Sequence, residues 1–181
     1  MKIEVRLSGS GGQGLILAGI ILAEGAISSK LNAVQTQSYG PEARGGASKA
    51  EVIISDSAIN FPKISKPNIL LSLTQKSLNE YLKDIDKSGI IIADSSIGVE
   101  CTENSNIYKL PIIDASKEVM GSKVGANMVA LGVISQIIED VDIENIKKSI
   151  IKRVPKGTEE LNIAAFEKGI ELFSKNIDVN Y

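Results

Sequence analysis

Apolar residues recur along this chain with two periods. From Lys2 to Ser8 they alternate (Ile3, Val5, Leu7) and then meet a cluster of glycines, which predicts a strand feeding a tight turn. Over residues 12–29 the period lengthens, and Leu15, Ala18, Gly19, Leu22 and Ala26 share one face of a helix. Ala33–Gln37 reads as a short strand despite polar Gln35, Thr36 and Gln37. Ala50–Ser55, Ile69–Leu73 and Gly89–Asp94 read as further strands, the last of the kind covered on both faces, and Asn106–Leu110 as an edge-like one. Thr74–Ile85 is predicted helical, with Leu78 and Leu82 one turn apart. Residues 124–138 are apolar nearly all round (Val124, Met128, Leu131, Ile134, Ile138; Val129, Val133, Ile137), which predicts a helix buried on more than one side. Asp142 caps a helix that ends before Pro155, and Thr158 caps another with Glu159 and Glu160 in its first turn. Strands alternate with helices and hairpin signals are scarce. The expectation is one domain over 1–181, a three-layer α/β/α fold on a mostly parallel open sheet.

Composition narrows the chemistry. The formal charge is −2 over 181 residues, with no basic run, which argues against a nucleic-acid or anionic-membrane binder. There is no His and no Trp, and one Cys. Imidazole catalysis, His-ligated metals, disulfide frameworks and iron–sulfur clusters held by local thiolates are therefore excluded for this chain alone, and neither a catalytic residue nor a metal site is expected. No stretch is apolar enough to span a bilayer, and Glu4 and Arg6 interrupt the first apolar run, so no targeting segment is read and a cytoplasmic location is expected.

Residues 9–14 read G-S-G-G-Q-G. Gly9, Gly11 and Gly14 have the spacing of dinucleotide-binding turns, and the strand-turn-helix context gives a Rossmann-like start. Gly12 and Gln13 complete the turn, whose helix N-terminus would offer free N–H groups to a phosphate. The acid expected about 20 residues on, at the end of the second strand, is missing: residues 32–39 read N-A-V-Q-T-Q-S-Y. A dinucleotide, another phosphate-bearing group, or a turn that serves packing or a subunit contact all stay open. Gln35–Glu51 reads as a long connection, of the length that tends to be functional. Gly40, Pro41, Gly45 and Gly46 punctuate it, and Ser38, Tyr39, Glu42 and Arg44 supply its chemistry. If the second strand ends near Gln37, this connection and the glycine turn share one edge of the sheet, where Arg44 could clamp a carboxylate or phosphate.

The segments G-S-G-G-Q-G-L-I-L-A-G (9–19) and Q-T-Q-S-Y-G-P-E-A-R-G-G-A-S-K-A-E-V-I-I-S (35–55) together resemble the gamma subunit of 2-oxoacid:ferredoxin oxidoreductases. The strand ending in Asp94 and the small-residue helix G-A-N-M-V-A-L-G (125–132) agree with this. Gln37-Ser38-Tyr39 looks most like the 2-oxoglutarate branch, since the pyruvate branch is more Trp/Pro/Arg-like there. The resemblance implies oxidative decarboxylation of a 2-oxo acid with coenzyme A, giving acyl-CoA, carbon dioxide and reduced ferredoxin. It implies alpha, beta and ferredoxin-like delta partner subunits carrying thiamine diphosphate, Mg²⁺ and the iron–sulfur clusters, with ferredoxin or another acceptor downstream. This chain has no G-D-G thiamine motif and only Cys101, so it is expected to be inactive alone. Two roles follow. Gly9, Gly11, Gly12, Gln13, Gly14, Ser38, Tyr39 and Arg44 contact coenzyme A or another phosphate, or the turn and the Gly40, Pro41, Glu42, Gly45, Gly46 loop form a docking surface for partner chains. A pyruvate or branched-chain version of the enzyme, a stand-alone nucleotide-binding regulatory module and a soluble NAD enzyme are the alternatives, and self-association as a homodimer in isolation is left open.

The remaining candidates read as ordinary. Cys101 lies between Glu100 and Glu103, whose charges disfavour a thiolate. Asp84/Asp86 and Asp140/Asp142 read as surface acids at helix ends, and Lys147-Lys148 with Lys152-Arg153 as a solvated helix face. Gly125, Ala126, Ala130 and Gly132 would let another backbone come close.

Overall fold

The computed structural model describes residues 1–39, 47–99 and 106–177. Strand β1 (Lys2–Ser10) leads through the glycine turn into α1 (Leu15–Ser28), then β2 (Asn32–Tyr39), β3 (Ala47–Ser55) and β4 (Ile69–Ser72). Helix α2 (Gln75–Tyr81) and a 3₁₀ turn (Leu82–Asp84) precede β5 (Ile90–Asp94) and β6 (Ile107–Leu110). Helices α3 (Ile112–Met120), α4 (Ala126–Ser135), α5 (Ile143–Arg153) and α6 (Glu159–Ile177) complete the chain.

The six strands form one sheet in the order β2-β3-β1-β4-β5-β6. Strand β3 runs antiparallel to both of its neighbours, while β1, β4, β5 and β6 pair in parallel. Five strands thus point one way, as the mostly parallel expectation required. The long connection expected at 35–51 is instead largely strand. Its two ends belong to β2 and β3, which pair over eight residues as a hairpin, leaving only 40–46 between them. The polar run Gln35–Gln37 obscured this. None of the β2 side chains described is buried, so polar residues on both its faces lose little hydration.

Alternation along β1 sorts the two faces. Val5 and Leu7 join Val52, Ile54, Ile69, Leu71 and Ile92 under α1, α4, α5 and α6 in the main core. Leu70, Ile91 and Ala93 point the other way into a smaller cluster with Leu78, Tyr81 and Ile97, covered by α2. Helices on both faces make the three layers. The five residues expected on the inner face of α1 are all buried, and so is every residue of α4. Val124 departs from the expected pattern: it lies in a 3₁₀ turn before α4 and is 73% exposed.

Caps explain several boundaries. The Asp142 carboxylate accepts the Glu144 N–H at 2.9 Å and starts α5. Thr158 precedes α6, but its hydroxyl donates to the Pro155 carbonyl at 2.7 Å and receives the Asn162 amide at 3.1 Å. Asp94, at the end of β5, accepts the N–H groups of Ser96 and Ile113, tying the strand to the start of α3. Of the Lys and Arg on α5, Lys152 and Arg153 both reach Glu24 and fasten α5 to α1, so this face is tied down as well as solvated.

Helices α4 and α6 meet backbone to backbone. A methyl on Gly132 would lie 2.0 Å from the Phe166 carbonyl oxygen, and one on Gly169 2.0 Å from that of Val129. The small-residue helix therefore packs closely, as its composition suggested. Gly132→Ala is expected to force the pair apart and cost about 1–3 kcal/mol, lowering Tm by several degrees. Thermal unfolding followed by circular dichroism measures this, and an unchanged Tm would show that the contact can relax.

Candidate functional site: the glycine turn and the edge it shares

The turn after β1 is built by its own side chains. Gln13 folds back so that its Oε1 accepts the Ser10 N–H at 2.7 Å, in the space that a Cβ on Gly9 would fill at 2.2 Å. Gly12 and Gly14 hold φ +86° and +70°, a region that L side chains rarely adopt. Gly14 is also the N-cap of α1, and no side chain caps that helix end. Behind it stands Asn127, at the start of α4 and buried. Its Nδ2 donates to the Gly14 carbonyl at 3.1 Å and its Oδ1 accepts the Met128 N–H at 3.0 Å. A Cβ on Gly14 would meet that Nδ2 at 2.4 Å. A side chain at Gly9 would displace the folded-back Gln13, and one at Gly14 is opposed both by the positive φ and by Asn127. Gly11 and Gly12 are exposed, with open space around them.

A cleft of about 420 Å³ opens beside the turn, lined by Ser10–Leu17, Ile20 and Ser48. Its lining joins the polar Ser10, Gln13 and Ser48 to the apolar Leu15, Ile16, Leu17 and Ile20 of α1. The register places Gly9 opposite Ser48, and Ser48 opposite Tyr39. The end of β2, the start of β3 and the glycine turn thus share one edge of the sheet, as expected from the sequence. Ser38 pairs with Lys49 and so points to the face opposite Ser48 and the cleft. Gly40, Pro41, Glu42, Arg44, Gly45, Gly46 and Cys101 lie outside the described residues.

A buried charge cluster on the α2 face escaped the sequence analysis. Arg6, 2% exposed, donates through Nε to Glu51 at 2.8 Å, through Nη1 to Asp84 at 3.0 Å and through Nη2 to the Ile64 carbonyl at 3.2 Å. Lys49 reaches Glu51 at 3.1 Å, and both cations lie over the Tyr81 ring. Asp84 is thus a partner in this cluster rather than an idle surface acid. Burial, reinforced by the neighbouring Glu80 carboxylate, pushes the Tyr81 hydroxyl up to about 12. A signal existed in the sequence: Arg6 sits between Val5 and Leu7, so a strand covered on both faces had to bury it. Asn127 left no comparable signal, because one amide in an apolar helix does not reveal what it faces.

The strand order bears on the dinucleotide alternative. In the nucleotide-binding arrangement the strand after the first helix lies beside the first strand and offers an acid to the ribose. Here β3 separates β1 from β2, and the end of β2 carries Gln35, Thr36, Gln37 and Ser38. The glycine spacing is shared with that arrangement; the second half of the site is not.

Comparison with known proteins defines the class. The pyruvate ferredoxin/flavodoxin oxidoreductase family profile matches residues 4–172, and the chain belongs to that family. It is 46% identical over 177 residues to the 2-oxoglutarate synthase subunit KorC of Methanocaldococcus jannaschii, spanning 95% of this chain and 94% of that one. The ketoisovalerate oxidoreductase subunit VorA of Methanothermobacter thermautotrophicus is 31% identical, but this chain spans only 38% of it. Among solved structures, the keto/oxoacid ferredoxin oxidoreductase gamma subunit of Geobacter sulfurreducens superposes with a TM-score of 0.85 at 41% identity, covering 96% of this chain and 99% of that one. The 2-oxoglutarate:ferredoxin oxidoreductase of Magnetococcus marinus, solved with 2-oxoglutarate, coenzyme A and succinyl-CoA bound, shares the fold at 20% identity and a TM-score of 0.85, with this chain matching 31% of it.

Removing Glu51 would take from buried Arg6 one of its two carboxylate partners and from Lys49 the carboxylate it reaches. Glu51→Ala is expected to cost about 3–5 kcal/mol in denaturant unfolding, against a barely detectable change for Asp114→Ala, whose partner Lys117 is exposed. The raised Tyr81 hydroxyl has a pH signature. Its folded value exceeds the ordinary value of about 10, so its contribution to stability is intact below pH ~10 and is lost as pH rises toward 12. Wild type should therefore lose stability relative to Tyr81→Phe across that window, and parallel pH profiles for the two proteins would contradict the assignment.

Proposed function

We propose that this chain is the gamma subunit of a 2-oxoglutarate:ferredoxin oxidoreductase, which converts 2-oxoglutarate and coenzyme A to succinyl-CoA, carbon dioxide and reduced ferredoxin. The observation that carries this is the 46% identity to KorC across 95% of the chain. The Q-S-Y-G-P-E-A-R-G-G sequence at 37–46 supports the same branch.

Within that enzyme the chain supplies no redox centre. It has one Cys and no His, and among the described residues no three His, Cys, Asp or Glu side chains stand close enough to hold a metal. One Cys cannot hold a cluster by itself, and in the proposed assembly the alpha, beta and delta partners carry thiamine diphosphate, Mg²⁺ and the iron–sulfur clusters. Among the described residues no helix is long and apolar enough to cross a membrane.

What this chain contributes is a binding edge. The cleft beside the glycine turn combines polar turn residues, an uncapped helix end and the apolar Leu15, Ile16, Leu17 and Ile20, which suits a ligand with phosphates at one end and an uncharged arm at the other. Coenzyme A has that form. The N–H groups of Gly11 and Gly12 and the start of α1 would receive phosphate, Arg44 would add charge, and Ile16, Leu17 and Ile20 would take the arm. Gln13 and Asn127 hold the turn in shape. Ser38 and Tyr39, at the end of β2, stand at the same sheet edge, where a partner subunit would close over the ligand.

The test is reconstitution with the partner subunits under anaerobic conditions. Coenzyme A-dependent dye reduction should occur with 2-oxoglutarate and not with pyruvate or branched-chain 2-oxo acids. Arg44→Ala should raise KM for coenzyme A about tenfold, the loss of one charge-assisted contact, with kcat little changed. An unchanged KM would remove the coenzyme A role. A complex that fails to assemble with Gly45→Val would instead assign the loop to subunit docking.

A further inference from the structure

Ser10 and Gln13 close the glycine turn with two bonds. The Gln13 N–H donates to the Ser10 carbonyl at 3.4 Å, and the Gln13 side chain folds back so that Oε1 accepts the Ser10 N–H at 2.7 Å. Gly9 makes the room for that fold, since a Cβ there would stand 2.2 Å from Oε1. Gly12 and Gly14, on either side of Gln13, turn the chain for it at positive φ.

The contact with Ser10 settles how the carboxamide is oriented. A backbone N–H only donates, so the atom it meets is the amide oxygen, and the nitrogen is the atom left over. Nε2 has no protein partner among the described residues. No buried polar side-chain atom among them lacks a partner, so Nε2 is reachable from outside. Gln13 lines the cleft beside the turn, together with Ser10, Ser48 and the first turn of α1. Asn127, the other amide of the turn, has its nitrogen on the Gly14 carbonyl and its oxygen on the Met128 N–H. Asn127 is thus engaged at both ends, whereas Gln13 keeps a donor free.

We infer that Gln13 binds the ligand of this cleft as well as bracing the turn: Nε2 donates to a phosphate oxygen, and the neutral amide selects for that charge. The inference rests on the coenzyme A reading above and names a residue that recognises phosphate within it. A phosphate oxygen only accepts, so it fits a free NH2 group beside an uncapped helix end. The bond from Ser10 orders the side chain in advance, which spares part of the entropy cost of binding. Neutrality carries the rest of the argument. A glutamate has nearly the same shape, would keep the bond from Ser10 and would be favoured by the N-terminus of α1. For bracing alone it would serve better than glutamine. It would also set a carboxylate oxygen where the phosphate has to lie.

The test is charge reversal at this position in the reconstituted complex, with coenzyme A varied. Gln13→Glu keeps the acceptor for Ser10 and is expected to raise KM for coenzyme A about 100-fold, in KM rather than kcat, with Tm of the chain not lowered. Gln13→Lys removes that acceptor and supplies a cation, so Tm falls while KM stays within about threefold of wild type. A residue that only braces the turn gives the reverse order, with Gln13→Lys impaired and Gln13→Glu unaffected. That order, or equal KM values for the two variants, would overturn the inference. Arg44→Ala in the same assay separates it from the reading beneath it. If Arg44→Ala raises KM and Gln13→Glu does not, the coenzyme A site stands and Gln13 is no part of its recognition. If no variant moves KM, the coenzyme A reading fails and the inference with it.

Discussion

The pairing of β1 with β3 is the constraint from which the rest of the molecule follows. Nine residues of each strand stand opposite one another, from Lys2 against Ser55 to Ser10 against Ala47. A slip of one residue would turn Val5 and Leu7 out of the main core and put Arg6 into it. The Arg6–Glu51 contact opposes that slip, because these two residues are register partners and a slip would separate them. A buried ion pair of this kind contributes little net stability, but it penalises every alternative pairing in which one charge is buried alone.

Fixing that register also fixes the site. With Gly9 opposite Ser48 and Ser48 opposite Tyr39, the glycine turn, the end of β2 and the start of β3 have no freedom to separate. Close contacts then carry the turn's position into the helical layer. Asn127 ties Gly14 to the head of α4, and α4 is held against α6 where Gly132 and Gly169 leave no room for side chains. Short polar contacts and missing methyl groups, rather than a large interface, place the cleft.

Much of this was legible from the sequence, and the reason differs by element. The α1 face, the all-round burial of α4 and the Asp142 cap follow from periodicity and local hydrogen bonding, which neighbouring residues determine. The β2–β3 hairpin was not legible from pattern, since an edge strand with no fully buried side chain among Asn32–Ser38 has little hydrophobic period to display. Val124 shows the reverse error: an apolar residue in register with a helical stripe was counted into the core, yet the chain there is a 3₁₀ turn that points it outward. Arg6 could have been found by asking where a charge goes in a strand with two covered faces. Asn127 could not, because its partner is 113 residues away and is a backbone carbonyl, which no side-chain pattern encodes. The family resemblance rested on the glycine turn and on 35–55, and the match over residues 4–172 shows that it extends across nearly the whole chain.

The glycine turn also shows how a short motif can mislead and still point to the right place. Its spacing is that of a dinucleotide site, and its local geometry is similar: a strand end, two residues at positive φ and an uncapped helix. The difference is topological. Inserting one antiparallel strand between β1 and β2 moves the second strand's end a further strand width, roughly 5 Å, from the turn and removes the position from which an acid would hold a ribose. The same insertion leaves β2 as an open edge, so the feature that abolishes the nucleotide site exposes the strand available to another chain. This strand order brings the glycine turn, the end of β2 and the start of β3 together at one end of the sheet while leaving the β2 edge open to a neighbour.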